Sequence, residues 1–410
     1  MNLAAIRETE ARHLMPTYKR PPVVFVRGRG CFLYDQKGRS YLDFLTGIGV
    51  NALGYAHPRL TRAIRAQAGR AIHISNLFHN AYQAPLAQEL ARRSGLPRVF
   101  FTNSGTEAIE GALKLARLNA RTNGSSPKAR ILALEESFHG RTFGALAVTA
   151  PAKYREPFAP LLPGVEFVRR NDIADLEAKL GPDVAALILE TIQGEGGIYP
   201  LSGEFYRRAR ELTRHHGTLL IADEIQCGCG RTGHFLAWHK FVNDSASDAP
   251  DITLLAKPLA GGLPLGAILA REEVGTLFTV GSHGTTFGGG PLACAAALAF
   301  LRALDEENLL RNVRARGREL RAGLEQLGKK FSWVKEVRGE GLMLAMELEI
   351  EGAPVVKAAL QRGLIINCTH DRVLRFLPAF IVGPREVALF FERLEAALKA
   401  VDRQLARKAS

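Results

Sequence analysis

The sequence predicts an α/β fold, with a large domain on a mainly parallel sheet and a smaller α+β domain beside it. Three observations predict it. From Arg98 to about Ala270, short apolar runs alternate with helix-period stretches, the pattern of strands buried on both faces and covered by helices. Two of those runs, Thr218–Asp223 and Asp251–Lys257, stay apolar until one charged residue closes them, and strand carboxyl ends are where open α/β sheets bind ligands. Beyond residue 300, helical and strand-like segments mix in a different order, which sets that stretch apart.

The elements follow in chain order. Short strand-like pieces at Val23–Val26 and Cys31–Tyr34 precede Asp35–Gly38, a hairpin turn that leads to Tyr41. Helical periodicity covers Pro58–Ala71 and Tyr82–Ser94, and Gly95 and Pro97 then punctuate the chain. The candidate strands of the main sheet are Arg98–Thr102, Arg130–Leu134, Val165–Val168, Val184–Glu190, Thr218–Asp223, Ile252–Ala256 and Leu265–Ala270. Helices such as Thr106–Ala120 and Gly203–His216 lie between them. Helical spacing resumes from Pro291 to about Leu327, strands are expected within Val334–Leu348 and Leu374–Leu377, and Pro384–Leu405 closes the chain as a helix. The expected division is 1–57 as an N-terminal segment contributing to the small domain, 58–300 as the large domain, and 301–410 as the C-terminal small domain. Thr122–Lys128 and Asn243–Pro250 read as flexible loops.

Composition narrows the function classes. The chain has 410 residues, 47% hydrophobic and 23% charged, and reads as globular. Its longest uninterrupted apolar run, Leu292–Leu301, is too short to span a bilayer, so no membrane partner is expected. Arg7, Glu8 and Glu10 near the N-terminus do not suit a secretory signal. The net charge is +13, from 54 Lys and Arg against 41 Asp and Glu. Arginines such as Arg59, Arg62, Arg65 and Arg70 sit at helical spacing among apolar residues, which suits a solvated face with a general attraction for small anions. A nucleic-acid partner needs a clustered patch or a recognisable module, and none is expected. Five cysteines, without paired spacing, read as reduced thiols of a cytoplasmic protein. Cys227 and Cys229 with His234 and His239 lack the usual zinc spacing, so no metal is expected.

The charged strand ends carry the first chemical argument. A lysine held at a sheet rim loses water, which disfavours its ammonium form and leaves a nucleophilic amine. Lys257 and Asp223 aimed into one site suit pyridoxal phosphate, whose ring takes electrons while a carboxylate keeps its nitrogen protonated. Gly261, Gly262 and Gly266 then let the backbone pass close to a ligand. Taken singly, each is equally a solvated loop lysine and a strand-end aspartate. The second argument is Asn103-Ser-Gly105-Thr106-Glu-Ala108, where a strand gives way to a helix. Free amides at a helix start bind anions, though the same residues also make an ordinary cap. Ser137-Phe138-His139-Gly-Arg141-Thr142 offers a ring for stacking and a planar fork for a carboxylate. His139 takes no role in this reading. Glu190 and Glu195 follow one strand, as general acids or as partners for arginines, and Arg375 is a lone charge among apolar residues that needs a counter-ion if buried. Asp223 and Gln226 face one site only if the chain bends between them. His283-Gly-Thr285-Thr286-Phe-Gly-Gly289 places two hydroxyls beside flexible backbone, for anion contact or as a polar loop.

With these residues in view, the chain resembles, nearly end to end, the class III pyridoxal-phosphate aminotransferases of fold type I. The matching motifs are NSGTEA at 103–108, FHGRT at 138–142, ILETIQGEGG at 188–197, DEIQ at 223–226, LLAK at 254–257 and HGTTFGG at 283–289. The resemblance implies a seven-stranded, mainly parallel sheet in the large domain and a small domain built from both chain ends. It implies that Lys257 carries the cofactor and shuttles a proton, that Asp223 binds the pyridine nitrogen and Gln226 the phenolic oxygen. Gly105 and Thr106 would hold the phosphate, and Phe138 would stack on the ring. Thr286 would reach the phosphate of the other subunit of a homodimer. Arg141 would grip the substrate α-carboxylate, with Thr285 beside it. Glu195 would pair with Arg375 for the amino donor and swing away when glutamate or 2-oxoglutarate enters. Gly290, Ala379 and Thr191 depart from the family's usual residues without touching that chemistry.

The finer motifs, GIGVNALGYAHP at 47–58, SNLFHN at 75–80 and LRFLP at 374–378, are similar to those of members that act in arginine biosynthesis. Those members transfer the terminal amino group of N2-acetyl-L-ornithine to 2-oxoglutarate, giving N-acetyl-L-glutamate 5-semialdehyde and L-glutamate. Ornithine, succinylornithine, N-succinyldiaminopimelate, 4-aminobutyrate and a carrier-bound lysine precursor stay open as donors. Two other classes also stay open. Gly228-Cys-Gly230-Arg-Thr-Gly233 matches a dinucleotide fingerprint and would make an NAD-dependent oxidoreductase, if it opens a helix directly after a strand. A non-catalytic ligand-binding protein is the third reading.

Overall fold

The apolar runs between Arg98 and Ala270 pair into one seven-stranded sheet. The structure, a computed structural model, describes residues 2–122, 129–242 and 248–409; the loops expected at Thr122–Lys128 and Asn243–Pro250 fall largely outside them. Ahead of the sheet, β1 (Phe25–Arg29), β2 (Phe32–Asp35) and β3 (Ser40–Asp43) form an antiparallel meander turned at Asp35–Gly38. The sheet takes β4 (Arg98–Thr102), β5 (Arg130–Leu134), β6 (Val165–Val168) and β7 (Val184–Glu190). A two-stranded hairpin, β8 (Ile192–Gln193) and β9 (Tyr199–Pro200), follows β7. β10 (Leu219–Asp223), β11 (Ile252–Leu255) and β12 (Gly266–Ala270) complete the sheet in the order β4-β12-β11-β10-β7-β5-β6. Only β12 runs against its neighbours.

Alternate residues of the central strands bury on opposite faces. Leu187, Leu189, Leu220 and Ala222 join one apolar cluster, while Ala186, Ile188, Leu219 and Ile221 join another with Ala108, Ile109 and Leu113 of the helix Gly105–Thr122. Burying each such leucine or isoleucine contributes roughly 1.5–3 kcal/mol. With both faces covered, the polar chemistry collects at the strand ends. The register places Asp223 directly beside Glu190 of β7, and beside Leu254 of β11, so that Lys257 follows shortly beyond the same edge.

The C-terminal part forms a second sheet, of β13 (Val334–Glu340), β14 (Met343–Leu348), β16 (Asn367–Thr369) and β17 (Val373–Phe376), in the order β13-β14-β17-β16. The intervening β15 (Leu364–Ile365) pairs in parallel with β3, which joins the two chain ends. The span Val334–Leu348 is a hairpin turned at Gly341, whose φ of 56° and close approach to Thr232 exclude a side chain. The helical span from Pro291 breaks at Asn308, also left-handed, into Pro291–Glu306 and Leu309–Gly328. β16 and the helix Ala353–Gln361 have no counterpart in the sequence reading, because three residues carry no periodicity and Gly352 and Pro354 disguise the helix start.

Arg231 fastens these parts together. Fully buried, it donates to the carbonyl oxygens of Leu342 at 3.2 Å, Pro378 at 2.5 Å and Gly49 at 3.5 Å, and lies 4.5 Å from the Phe380 ring centroid. The run Gly228–Gly233 therefore makes a packed turn and opens no helix. The next element is a short 3-10 turn over Ala237–Phe241, so the dinucleotide fingerprint lacks its required context.

Candidate active site

The ends of β7, β10 and β11 open into a cavity of about 490 Å³, lined by Lys257, Asp223, Gln226, Thr106, Phe138 and Arg141 among others. The chain bends sharply after β10. Ile225 N donates to Asp223 Oδ1 at 3.0 Å and Gly228 N to the Glu224 carbonyl at 2.9 Å, and this turn brings Asp223 and Gln226 to the same cavity. Glu224 goes the other way, fully buried, accepting from Thr191 Oγ1 at 2.5 Å and from the amides of Ala237 and Trp238 at 2.7 and 3.1 Å.

Asp223 has a partner that the sequence reading left without a role. His139 Nδ1 lies 2.7 Å from Asp223 Oδ2, and both side chains are withdrawn from water. Beside them Glu190 accepts from Phe138 N at 2.9 Å and from Gly194 N at 2.8 Å, so one carboxylate fixes two loops of the site. Burial pushes Glu190 up to about 7; His139 pulls it down and the adjacent Asp223 pushes it up. Lys257 lies below its ordinary value, chiefly through burial, with Asp223 and Glu195 pulling it back up and Arg375 pressing it down. A partly dehydrated amine between carboxylates is poised for nucleophilic and proton-transfer work.

The opposite end is built for an anion. Ser104, Gly105 and Thr106 line the cavity where the helix Gly105–Thr122 begins, so its unpaired amides and positive dipole end face inward. A side chain at Gly105 would meet Ile225 at 2.8 Å, so only glycine lets the two loops approach this closely. Thr106 Oγ1 lies 2.8 Å from Thr142 Oγ1, which in turn donates to Glu110 Oε1 at 2.5 Å. Glu110 also accepts from the amides of Gly144 and Ala145 at 2.9 and 3.1 Å, and so holds the Arg141 loop against the helix. Of the glycines after Lys257, only Gly262 lines the cavity. Gly261 and Gly266 instead allow close packing against Leu60 and Ser104.

A helix start, an aromatic face, an amine and a buried carboxylate thus share one cavity. That donor set fits pyridoxal phosphate: an anion at one end, a planar ring with a basic nitrogen at the other, and an aldehyde for the amine.

The candidate substrate residues surround this set. Arg141 is exposed, its guanidinium 3.8 Å from the Tyr154 ring centroid and 5.5 Å from that of Phe138. Arg375 is fully buried and donates to Glu195 Oε1 at 2.6 Å and to Gln226 Oε1 at 3.2 Å. Burial alone would raise the Glu195 carboxyl, but Arg375 outweighs it and holds the group below the ordinary range. Thr285 Oγ1 accepts from Asn103 Nδ2 at 3.1 Å. Thr285 and Thr286 line a second cavity, of about 610 Å³, so a single chain does not bring Thr286 to Lys257.

Sequence reasoning missed His139, Tyr154, Glu110 and Thr142. His139 and Thr142 carried a signal, since their motif was already in view; Glu110 and Tyr154 act through contacts between separate elements.

A family model described as aminotransferase class-III matches residues 14–398. An acetylornithine aminotransferase of Aquifex aeolicus is 47% identical over 377 residues, covering 92% of this chain and 96% of that protein. Among solved structures, the ornithine aminotransferase of Toxoplasma gondii ME49 matches with a TM-score of 0.94 at 34% identity, over 98% of this chain and 96% of that one. The N-acetylornithine aminotransferase of Stenotrophomonas maltophilia K279a matches with a TM-score of 0.82 at 36% identity, over 97% and 99%. The chain belongs to the class-III aminotransferase family.

Proposed function

We propose that this pyridoxal-phosphate-dependent transaminase transfers the terminal amino group of N2-acetyl-L-ornithine to 2-oxoglutarate in two half-reactions at one site. The products are N-acetyl-L-glutamate 5-semialdehyde and L-glutamate. The observation that carries the reading is the buried Arg375 paired with the half-buried Glu195. Paired, they present a neutral wall to the acyl donor; with Glu195 turned aside, Arg375 offers a cation to the acceptor's carboxylate. The identity to acetylornithine aminotransferases supports this donor.

Gly105 and Thr106 would hold the cofactor phosphate, Phe138 its ring face, Asp223 its nitrogen, Gln226 its phenolic oxygen and Lys257 its aldehyde carbon. When bound, the ring supplies a sink for the electrons released at the amino-bearing carbon. Lys257 Nζ, whose ammonium form burial disfavours, would take the proton from that carbon and return it to the adjacent position. Asp223, which accepts from Ile225 N and lies 2.7 Å from His139 Nδ1, would keep a proton on the ring nitrogen. Arg141 takes the carboxylate remote from the reacting amine, the α-carboxylate of acetylornithine or the γ-carboxylate of glutamate. Arg375 takes the carboxylate next to the reacting carbon of glutamate.

The enzyme acts on amino acids and 2-oxo acids, and no helix among the described residues is long and apolar enough to cross a membrane. We further read it as a homodimer in which each subunit lends Thr286 to the phosphate end of the other's cavity. The exposed side chains of Leu77, Phe78 and Phe287 near that second cavity support a covered face. Five free thiols suit the cytoplasm. The pairing of β3 with β15 supports a small domain made of residues 1–57 and 301–410 around a large domain of 58–300.

The likeness to an ornithine aminotransferase favours ornithine as a second reading of the donor. A half-reaction screen decides between them. Each amine is mixed with loaded enzyme and the absorbance change of the bound cofactor is timed. Acetylornithine is expected to react fastest, and a larger kcat/KM for ornithine or 4-aminobutyrate overturns the assignment.

A further inference from the structure

We propose that the short strand β16 sets the substrate specificity of the Arg375–Glu195 gate, with Asn367 fixing the guanidinium and Thr369 fixing the backbone under Glu195. This inference rests on the two-substrate reading of that pair. Asn367 and Thr369 touch the pair rather than the cavity, and Arg375 meets the cavity wall at Gln226. The register sets Asn367 opposite Arg375, and Asn367 Oδ1 accepts from Arg375 Nε at 3.2 Å. Two residues on, Thr369 Oγ1 donates to the Glu195 carbonyl oxygen at 2.6 Å.

A guanidinium grips a carboxylate along one of two edges, side-on through Nε or end-on through its two terminal nitrogens. Asn367 occupies the side-on edge. Glu195 holds Nη1, and Nη2 is buried without a partner among the described residues. An incoming carboxylate and Glu195 must therefore compete for the same end. That competition is what makes the two substrates mutually exclusive, and it depends on a guanidinium held in place at Nε.

Thr369 acts on the other member of the pair. The Gly194 amide donates to Glu190 Oε2 at 2.8 Å on one side of Glu195, and Thr369 holds the carbonyl on the other. With the backbone held at both points, exchange becomes a rotation of the Glu195 side chain alone.

The test compares half-reaction kcat/KM for glutamate and for acetylornithine in Asn367→Leu, Thr369→Val and Glu195→Ala. Asn367→Leu is expected to lower glutamate about tenfold relative to acetylornithine, through KM, because the carboxylate meets an unanchored cation. Thr369→Val is expected to shift the ratio the opposite way, about threefold toward glutamate, because Glu195 is held less firmly in the pair. Thr369→Ser keeps the hydroxyl and is expected to restore the wild-type ratio. General damage to the fold lowers both substrates together and cannot produce opposite signs. Should either apolar variant fold poorly, Asn367→Ala and Thr369→Ala carry the same expectations. If both variants keep the wild-type ratio while Glu195→Ala shifts it, the role of β16 is overturned and the gate stands. If Glu195→Ala itself leaves the ratio unchanged, the gate falls and this inference with it.

Discussion

His139 and Asp223 face one another at the closed end of the cavity, with imidazole Nδ1 2.7 Å from carboxylate Oδ2. An ionised Asp223 only accepts, so the imidazole donates from Nδ1, and its buried Nε2 has no partner among the described residues. The histidine therefore serves to orient the carboxylate toward the cavity.

His139→Leu removes that donor and leaves Asp223 with the Ile225 amide. A hydrogen bond to a charged group contributes about 1.5–3 kcal/mol, so the dissociation constant for pyridoxal phosphate should rise about 10- to 100-fold. Equilibrium titration of the cofactor-free protein, followed by fluorescence, reads this directly. An unchanged constant would mean that the pair is packing alone.

Lys257 should behave as a depressed amine in the cofactor-free protein. Capture of pyridoxal phosphate requires the neutral form, so its rate should climb with pH and level off below the ordinary lysine value of about 10.4. Asp223 pulls this group upward. Asp223→Asn should accordingly move the rate profile to lower pH, and Lys257→Ala should abolish labelling by borohydride reduction. A profile centred at the ordinary value, or shifted upward by Asp223→Asn, contradicts the electrostatic account.

The sheet was legible because its central strands are solid apolar runs, as in Val184–Glu190, where every residue is buried. Asp223 and Lys257 were legible for the same reason, as single charges that end such runs. The site's outer layer was not. Tyr154 under Arg141, Glu110 behind Thr142, and Asn367 beside Arg375 depend on contacts between separate elements that no local period encodes. The glycines after Lys257 show the converse, since two of the three serve packing rather than a ligand.

Arg141 stands exposed on the Tyr154 ring, where its fork is already oriented. Arg141→Ala should raise KM for both acetylornithine and glutamate by about 10- to 100-fold, the worth of a charge-assisted pair, with kcat changed far less. Arg141→Lys keeps the charge without the fork and should fall between. N-acetylputrescine, which lacks the carboxylate, should not discriminate between wild type and Arg141→Ala. Equal losses with and without that carboxylate would take Arg141 out of substrate binding.

Glu224 offers a test of buried charge away from the substrate. Burial raises its carboxyl from 4.5 to about 7, against the pull of the Thr191, Ala237 and Trp238 donors. Between those limits the folded chain keeps a proton that the unfolded chain has lost, so this group's contribution to stability declines as pH rises through the window and is flat above it. The full span corresponds to about 3 kcal/mol. Glu224→Gln cannot titrate, and its amide nitrogen only donates, so either the Ala237 or the Trp238 amide loses its acceptor and the variant should melt below wild type at about pH 5. The gap between the two should then narrow toward about pH 7.5, because only the wild type loses stability through this group. Glu190 and the other titrating groups are common to both proteins and cancel in the comparison. Melting curves that stay parallel across the window would place the Glu224 carboxyl in its ordinary range.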